Sequence, residues 1–262
     1  MKLVFWNICK KVDVGPVVDL IDKVRPDLLF LAECTDEVIE GLQERNNHFV
    51  NLPPFAKTTK VKCFNVRQHL SCRCILEAGD RLTFYRIEFE SLKCVIGALH
   101  LIPMNHTDDF FQVGESTEYL KIIDQMEIEN GKHTILVGDF NMNPFDAGMV
   151  VPYAFNSVCC PKIACEITRT VQQREYSYFF NPTWKVYDDK GTGVYGSYYY
   201  PSPSGKRAFH WNNFDQALIR PQLLAKYECD FQLLHSIVDY DITKTNRYSD
   251  HYPIMLELRS KK

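Results

Sequence analysis

The sequence lacks any apolar run of the roughly 18 residues that a membrane-spanning helix requires, although the chain is 262 residues long. Its amino terminus, MKLVFWNICKK, has an apolar segment too short for a signal peptide and no small-residue cleavage pattern. We therefore interpret this segment as the first strand of a soluble, cytoplasmic protein. We expect no stable association with membranes.

The chain also lacks an excess of positive charge, because its formal net charge is −3. A protein that holds DNA tightly usually presents a basic face, so this balance argues against a tight, static DNA-binding protein. It argues less strongly against an enzyme that needs only a local contact with phosphates.

Several sequence motifs are missing, and each absence removes a class of protein. The ten cysteines have no paired C-x-x-C spacing, so neither Cys72 and Cys74 nor the group Cys159, Cys160 and Cys165 predicts a structural zinc site. Without a secretion signal, reduced thiols are expected. The absence of G-x-S-x-G and of G-x-x-x-x-G-K-[ST] argues against a serine hydrolase and an NTP-driven motor.

What the sequence does contain is an alternation of short apolar runs with amphipathic segments. Strands are predicted at Lys2–Trp6, Asp27–Ala32, Arg81–Glu88, Lys93–Leu99, Thr134–Gly138, Asp215–Ile219 and Tyr252–Leu258, with strand-like pieces at Tyr176–Phe180 and Gly196–Tyr200. Helices are predicted at Val14–Val24, Asp36–Arg45 and Thr117–Ile128. No repeat or composition break divides the chain, so residues 1–262 are predicted to form a single α/β or α+β domain.

Polar side chains stand at the ends of these strands. Four strands end in polar groups and two later strands begin with them; the residues are Asn7, Glu33, His100, Asp139, Asn141, Asp215, Asp250 and His251. If the first four strands run one way and the last two run antiparallel to them, all these groups meet at one edge. One such residue alone is better explained as turn chemistry, but six segments with consistent polarity favour a functional site.

The spacing within GDFN supports this interpretation. In an extended backbone, residues i and i+2 point to the same side, so Asp139 and Asn141 are expected to face together while Phe140 anchors in the core. Glu33, Asp139 and Asp250 are hard oxygen donors of the kind that Mg²⁺ or Mn²⁺ prefers. Histidine and amide groups beside such a cation suit attack of water on a phosphate ester.

Six motifs in this order carry a family resemblance. They are FWN at 5–7, RPDLLFLAE at 25–33, LHL at 99–101, GDFNMNP at 138–144, FDQ at 214–216 and SDHYPI at 249–254. Together they resemble the endonuclease/exonuclease/phosphatase superfamily, which has the deoxyribonuclease-I-like fold. The resemblance implies a four-layered α/β/β/α sandwich in the α+β class, in which two mixed sheets face each other between outer helices.

The resemblance also implies roles for the polar residues. Glu33 matches the principal metal ligand, Asn7 the amide that supports it, and Asp250 a second acid on the metal side. His251 matches the histidine on the scissile phosphate, and Asp215 matches its orienting carboxylate.

Three further roles follow from the same resemblance. Asp139 matches the group that orients or deprotonates water, and Asn141 matches an amide that contacts the phosphate. His100 falls near the leaving group, with Glu77 as a candidate partner. We assign Asp139 and His251 as a cooperating pair, because the choice of base stays open.

Two surface segments bear on the substrate. Basic residues follow Glu33, and a later loop mixes aromatic with basic side chains; the predicted contacts are Lys57, Lys60, Lys62, Arg67, Arg73, Tyr199, Lys206, Arg207 and Trp211. Such a mixture suits stacking on unpaired bases together with phosphate contacts, while a solvated surface loop is an equally weighted alternative.

The sequence thus predicts a Mg²⁺- or Mn²⁺-dependent nuclease that hydrolyses DNA or RNA phosphodiesters. The same chemistry on a phosphoinositide, sphingomyelin or a small nucleotide is the alternative. A catalytically inactive binding module ranks last, because Glu33, Asp139, Asn141, Asp250 and His251 are all present. The oligomeric state is left open.

Overall fold

A computed structural model of the chain describes residues 1–45, 50–52, 59–67, 70–103, 108–187, 191–201, 209–244 and 248–261. The strands are β1 (Lys2–Asn7), β2 (Leu28–Ala32), β3 (Val50–Leu52), β4 (Val61–Asn65), β5 (Ser71–Ala78), β6 (Leu82–Phe89), β7 (Leu92–His100), β8 (Thr134–Asp139), β9 (Ser157–Val158), β10 (Thr168–Val171), β11 (Arg174–Ser177), β12 (Phe179–Phe180), β13 (Tyr198–Tyr199), β14 (Trp211–Asn212), β15 (Asp215–Ile219), β16 (Tyr227–Leu233) and β17 (Ile254–Ser260). The α-helices are α1 (Gly15–Val24), α2 (Asp36–Arg45), α3 (Asp109–Asn130), α4 (Ala147–Val150), α5 (Pro161–Ala164) and α6 (Pro221–Leu224), and a 3-10 helix covers Pro182–Tyr187.

Two mixed sheets form the centre of the fold. The first has six strands in the order β16-β17-β1-β2-β4-β3, and the second has seven in the order β5-β6-β7-β8-β15-β12-β9. β1 and β2 are parallel, as are β7 and β8, whereas β17 runs antiparallel to β1 and β15 antiparallel to β8. The strand polarity expected from the sequence is therefore confirmed within each sheet.

Alternating side chains along the strands produce the layers. Leu3 and Phe5 of β1 point into the core between the two sheets. Val4 and Trp6 point to the other face and pack with residues of α1 and α2. Because side chains of a strand alternate between its two faces, one strand serves both layers, and the first outer layer is formed by α1 and α2.

The second sheet repeats this arrangement. Ile135 and Val137 of β8 contribute to the core between the sheets, and Leu136 packs on the opposite side with Ile123 and Met126 of α3. The molecule is thus layered as helix, sheet, sheet and helix. This confirms the predicted four-layered sandwich.

α3 begins earlier than the sequence indicates. The prediction starts at Thr117, but the helix starts at Asp109, where the Asp108 side chain accepts a hydrogen bond from the Phe111 amide (2.8 Å). This is a standard N-terminal cap. The first two turns carry exposed Phe110 and Phe111, so their apolar pattern does not follow the helical period. Among the described residues, no helix combines the length and apolar character needed to cross a membrane.

A buried arginine joins α3 to the end of β15. The Arg220 guanidinium is fully buried and forms ion pairs with Glu127 (2.8 Å) and Asp124 (3.3 Å) of α3. It also lies 3.8 Å from the centre of the Phe179 ring. The sequence gives no signal for this contact, because the partners are far apart along the chain.

Candidate active site

Asp139 lies at the edge of the second sheet where β7 and β8 end and β15 begins. In the strand register, Asp139 is opposite His100 of β7 on one side and Asp215 of β15 on the other. Asp139 is only 2% exposed, and Phe140 beside it is completely buried. The predicted anchoring of Phe140 in the core is therefore confirmed.

The expected extended backbone across GDFN is wrong. Asn141 has φ of 51°, which is left-handed rather than extended. Its backbone amide donates a hydrogen bond to Asp139 Oδ1 at 2.9 Å. Asp139 thus closes a turn as well as facing the site. Asn tolerates the left-handed region better than most residues because its short polar side chain can bond locally.

Asn141 is held from two sides. Its side-chain amide donates to the Leu101 carbonyl (2.9 Å), and its backbone carbonyl accepts from Gln112 Nε2 of α3 (3.0 Å). Gln112 is buried. It was not identified from the sequence, because a single glutamine in a helix carries no pattern that points to its partner.

Asn7 connects the two sheets. Its side-chain amide at the end of β1 donates to Asp139 Oδ2 across the gap (3.1 Å), and its side-chain oxygen accepts from the Cys9 amide (3.0 Å). Asn7 thus holds the first sheet against the carboxylate of the second.

His251 makes the second connection between the sheets. Its Nδ1 lies 2.7 Å from Asp215 Oδ2, so the imidazole of one sheet pairs with a carboxylate of the other. Its amide donates to Ser249 Oγ (2.9 Å), and its carbonyl accepts from Trp6 Nε1 and from the Tyr240 hydroxyl (both 3.0 Å). The orientation of the ring is therefore fixed from several directions.

The charges around His251 determine its protonation. Burial lowers the pKa of the imidazole, but the carboxylates of Asp215, Asp139 and Asp250 outweigh burial and raise that pKa to about 10. Burial raises the pKa of Asp215, against the opposing effect of its bond to His251. We conclude that His251 carries a positive charge near neutral pH.

Glu33 and Asp250 lie beside a thiol. Burial, followed by the negative charges of Asp250 and Glu33, raises the pKa of the Cys9 thiol to about 11. Glu33 itself has φ of 52°, and its amide donates to the Lys60 carbonyl (3.2 Å). The backbone therefore turns sharply where β2 delivers this carboxylate.

His100 stands on the other side of Asp139. Its Nε2 is 3.7 Å from Asp139 Oδ2, and its Nδ1 is buried without a hydrogen-bond partner in the described part of the chain. Glu77, the candidate partner, lies on β5, and its pairing with His100 stays a prediction.

The donor set suits a divalent cation. Ligand atoms of Asp139, Asp215 and His251 all lie within 4.8 Å of one another, and Asp215 Oδ1 is buried without a hydrogen-bond partner among the residues that the structure describes. Within the described ranges, no lysine or arginine pairs with Asp139, Asp215 or Asp250. Asp139 and Asp250 offer hard carboxylate oxygens that match Mg²⁺ or Mn²⁺, whereas Asp215 is paired with His251. Of the predicted ligands, Asn7 donates a hydrogen bond to Asp139. Glu33 and Asp250 both lie beside the Cys9 thiol.

The predicted basic contacts are distributed unevenly. Lys60 and Lys62 flank the end of β2 that carries Glu33, since Lys62 pairs with Leu31 in the strand register. Arg67 instead pairs with Asp27 (2.7 Å) at the opposite end of β2. It does so because β4 runs antiparallel to β2 and Arg67 follows the end of β4.

The remaining predicted contacts complete this picture. Arg73 lies on β5 opposite Arg86, well before the end of the sheet that carries His100. The predicted contacts Lys57, Lys206 and Arg207 lie outside the described residues. Tyr199 and Trp211 face each other in the β13–β14 hairpin, with ring centres 5.0 Å apart.

Tyr198 was not among the predicted site residues. Its ring centre lies 4.8 Å from that of His251, and a β-bridge joins the two residues. Neighbouring Ser197 accepts a hydrogen bond from the Asp215 amide (3.1 Å). The run of three tyrosines gave a signal for aromatic character, but not for which ring covers the histidine.

Comparison with known proteins places this geometry in context. The sequence profile of the Endonuclease/Exonuclease/phosphatase family matches residues 4–251. D. rerio TDP2 in complex with a single-strand DNA product is 15% identical, with a TM-score of 0.63 over 99% of this chain and 98% of that one. Truncated Caenorhabditis elegans TDP2 is 14% identical, with a TM-score of 0.59 over 98% of this chain and 96% of that one. The human Nocturnin catalytic domain with bound sulfate is 12% identical, with a TM-score of 0.58 over 100% and 94% of the two chains. Among curated protein sequences, none matches.

Proposed function

The chain belongs to the endonuclease/exonuclease/phosphatase family, and from that premise we propose that it is a divalent-metal-dependent phosphodiesterase that cuts nucleic acid. The observation that carries this proposal is the His251–Asp215 pair beside the buried Asp139 carboxylate. We further propose that residues 1–262 act as a single domain.

The carboxylates would hold the cation. We assign Glu33 and Asp250 as its ligands, with Asn7 in support, because these groups adjoin Asp139 and have the hard oxygen atoms that Mg²⁺ or Mn²⁺ prefers. When bound, such a cation supplies charge stabilisation at phosphoryl oxygens.

His251 and Asp139 would have separate roles: His251 stabilises negative charge on the phosphate, and Asp139 accepts a proton. With Nδ1 committed to Asp215, the charged imidazole has Nε2 left to donate a hydrogen bond to a phosphoryl oxygen. Such charge-assisted bonds strengthen as negative charge develops. Asp139 accepts the proton of the attacking water, while Asn141 and His100 lie on either side for the phosphate and the leaving oxygen.

Nucleic acid is the substrate class that the surroundings favour. The Tyr199 and Trp211 rings in the adjacent hairpin are half-buried and suit stacking on bases. A solved structure of similar fold, D. rerio TDP2, is complexed with a single-strand DNA product.

A substrate panel tests the proposal. Single- and double-stranded DNA, RNA, a phosphoinositide, sphingomyelin and small nucleotides are offered with Mg²⁺, Mn²⁺ or a chelator. We expect metal-dependent cleavage of a nucleic acid, and a loss of at least about 10²-fold in His251→Ala.

His133→Ala is the matched control, because His133 precedes β8 at the end opposite the site. It should retain wild-type turnover. Hydrolysis of a phosphoinositide or sphingomyelin without cleavage of any nucleic acid would refute the proposed substrate, and undiminished turnover in His251→Ala would refute the proposed site.

A further inference from the structure

Four aromatic rings meet just beyond the GDFN turn, in a group that we call the Phe145 cluster. The Phe145 ring centre lies 5.6 Å from that of Phe209, 6.0 Å from Tyr187 and 6.2 Å from Trp184. Trp184 and Tyr187 are themselves 6.1 Å apart. These rings come from three separate segments of the chain, so the cluster is a product of the fold.

Two rings of the cluster are partly exposed. Phe145 is 38% exposed and Phe209 is 44% exposed, while Trp184 and Tyr187 support them from below as half-buried rings. Burying a large aromatic ring is strongly favourable. A packed group with two partly exposed rings therefore offers aromatic surface to a ligand, unlike a closed core.

A buried asparagine connects this cluster to the active site. Asn143 Oδ1 accepts hydrogen bonds from the Tyr187 hydroxyl (3.1 Å) and the Asn213 amide (2.9 Å). Asn143 stands two residues after Asn141 and two before Phe145. The four residue steps from Asn141 to Phe145 span at most about 14 Å.

That reach fits a nucleic acid strand. Successive nucleotides of a stacked strand rise about 3.4 Å along the helix axis, so a span of about 14 Å between a phosphate at Asn141 and a base at Phe145 corresponds to no more than about four nucleotides. A protein interface would need no such proximity to the phosphate-handling groups.

We propose that the Phe145 cluster is a base-stacking subsite, which takes an unpaired base of the strand whose phosphodiester lies at Asp139 and His251. The inference rests on the proposed function, and it specifies single-stranded or locally unpaired nucleic acid. Stacking on aromatic faces tolerates any base, so the subsite contributes affinity without sequence preference.

Binding is measured with and without bases on the probe. The probes are a 12-nucleotide oligodeoxythymidylate and an abasic phosphodiester of the same length, each titrated in chelator to prevent cleavage. We expect Phe145→Ala and Phe209→Ala each to weaken binding of the thymidylate about 5- to 100-fold. Binding of the abasic probe should change less than twofold.

Two further variants separate stacking from simple packing. Phe145→Trp keeps an aromatic face and should retain binding, whereas Phe145→Leu keeps apolar volume and should lose it. Phe110→Ala removes a phenylalanine that is 88% exposed on α3 and is expected to have no effect. Circular dichroism checks that each variant is folded.

Three results would overturn the inference. These are equal loss of both probes in Phe145→Ala, unchanged binding of the thymidylate, and retained binding in Phe145→Leu. A change in self-association without a change in nucleic acid binding would identify a protein interface instead.

A separate assay keeps this inference distinct from the proposed function. Hydrolysis of bis(p-nitrophenyl) phosphate, which carries no nucleobase and no neighbouring nucleotide to occupy the subsite, should be the same in wild type and Phe145→Ala. If that hydrolysis is present while Phe145→Ala leaves oligonucleotide binding unchanged, only the subsite is refuted. If the wild type hydrolyses no phosphodiester, the proposed function itself is refuted.

Discussion

At the residue scale, the site is built on left-handed backbone. Cys9, Glu33 and Asn141 have φ of 51°, 52° and 51°, and they follow β1, β2 and β8 at the proposed catalytic edge. A left-handed conformation costs roughly 1–2 kcal/mol for an ordinary residue, and such residues often cluster at functional sites. The turn at Glu33 places its carboxylate close enough to the Cys9 thiol, together with Asp250, to raise the pKa of that thiol.

Replacement of Glu33 by asparagine should therefore separate stability from function. Asn is more readily accommodated in the left-handed region, so Glu33→Asn should raise the free energy of unfolding by about 0.5–1 kcal/mol. The same variant should lose metal-dependent hydrolysis by at least about 10²-fold. Urea unfolding and initial rates measure the two effects.

Glu90→Asn is the matched control for this prediction. Glu90 has φ of 53° in an exposed turn between β6 and β7, far from the carboxylates. This variant should gain similar stability and retain full activity. If Glu33→Asn retained activity, Glu33 would not be a ligand.

At the element scale, β7 and β8 approach so closely that only glycine fits between them. A methyl group on Gly138 would lie 2.0 Å from the Leu99 carbonyl oxygen, and neither backbone can move without separating His100 from Asp139. We expect Gly138→Ala to lower the free energy of unfolding by about 1–3 kcal/mol or more and to reduce activity. Thermal unfolding measures the first effect.

Gly114→Ala is the contrasting variant within α3. A methyl group at Gly114 would meet no atom of the described residues within 4 Å, and replacing a helical glycine by alanine stabilises by roughly 0.5–1 kcal/mol. The two substitutions should therefore have opposite signs. Tolerance of alanine at position 138 would contradict the described strand contact.

The buried ion pair between β15 and α3 gives a second element-scale prediction. Arg220→Leu leaves the Glu127 carboxylate buried without its cation, and breaking a buried pair in this way costs about 3–5 kcal/mol. The double variant Arg220→Leu with Glu127→Leu should recover much of that loss. A double-mutant cycle measured by urea unfolding tests this, and additive losses would show that the pair is not coupled.

How far the sequence predicts these elements depends on their pattern. β1, β2, β8 and β15 were located within a residue, because continuous apolar runs end at polar groups. β5 and β16 were missed. Their side chains are mostly only partly buried, so neither a clear alternation nor an apolar run marks them.

The candidate site divides in the same way. Local motifs indicated Asp139, Asp215 and His251, which the structure brings together. Gln112 and the Phe145 cluster were not predicted, because they depend on contacts between distant segments. The placement of Arg67 also followed from register, which a basic cluster in the sequence does not specify.

At the scale of the whole molecule, the proposed cation binds at the edge where the two sheets meet. A ligand that binds only the folded state stabilises it, by about 2.7 kcal/mol at 100 times its dissociation constant. We therefore expect Mg²⁺ or Mn²⁺ to raise the unfolding temperature, and a chelator to reverse the effect. Differential scanning fluorimetry measures this without any substrate.

The matched variants for this prediction are carboxylates inside and outside the site. Asp250→Asn should weaken the stabilisation by the cation. Asp230→Asn removes a carboxylate on β16 that pairs with Lys185. This variant should retain the full stabilisation by the cation. Equal stabilisation of both variants would exclude Asp250 as a ligand.

Each sheet carries only part of the proposed catalytic set, and hydrogen bonds from Asn7 to Asp139 and between His251 and Asp215 join the two parts. The alignment of the reacting groups therefore depends on the apolar layer that lies between the sheets. A small slip between the sheets would leave every strand intact while moving acid away from base. On gentle heating, turnover should consequently disappear before the far-ultraviolet circular dichroism signal of the strands. Substitutions deep in that apolar layer should likewise reduce turnover without contacting the substrate.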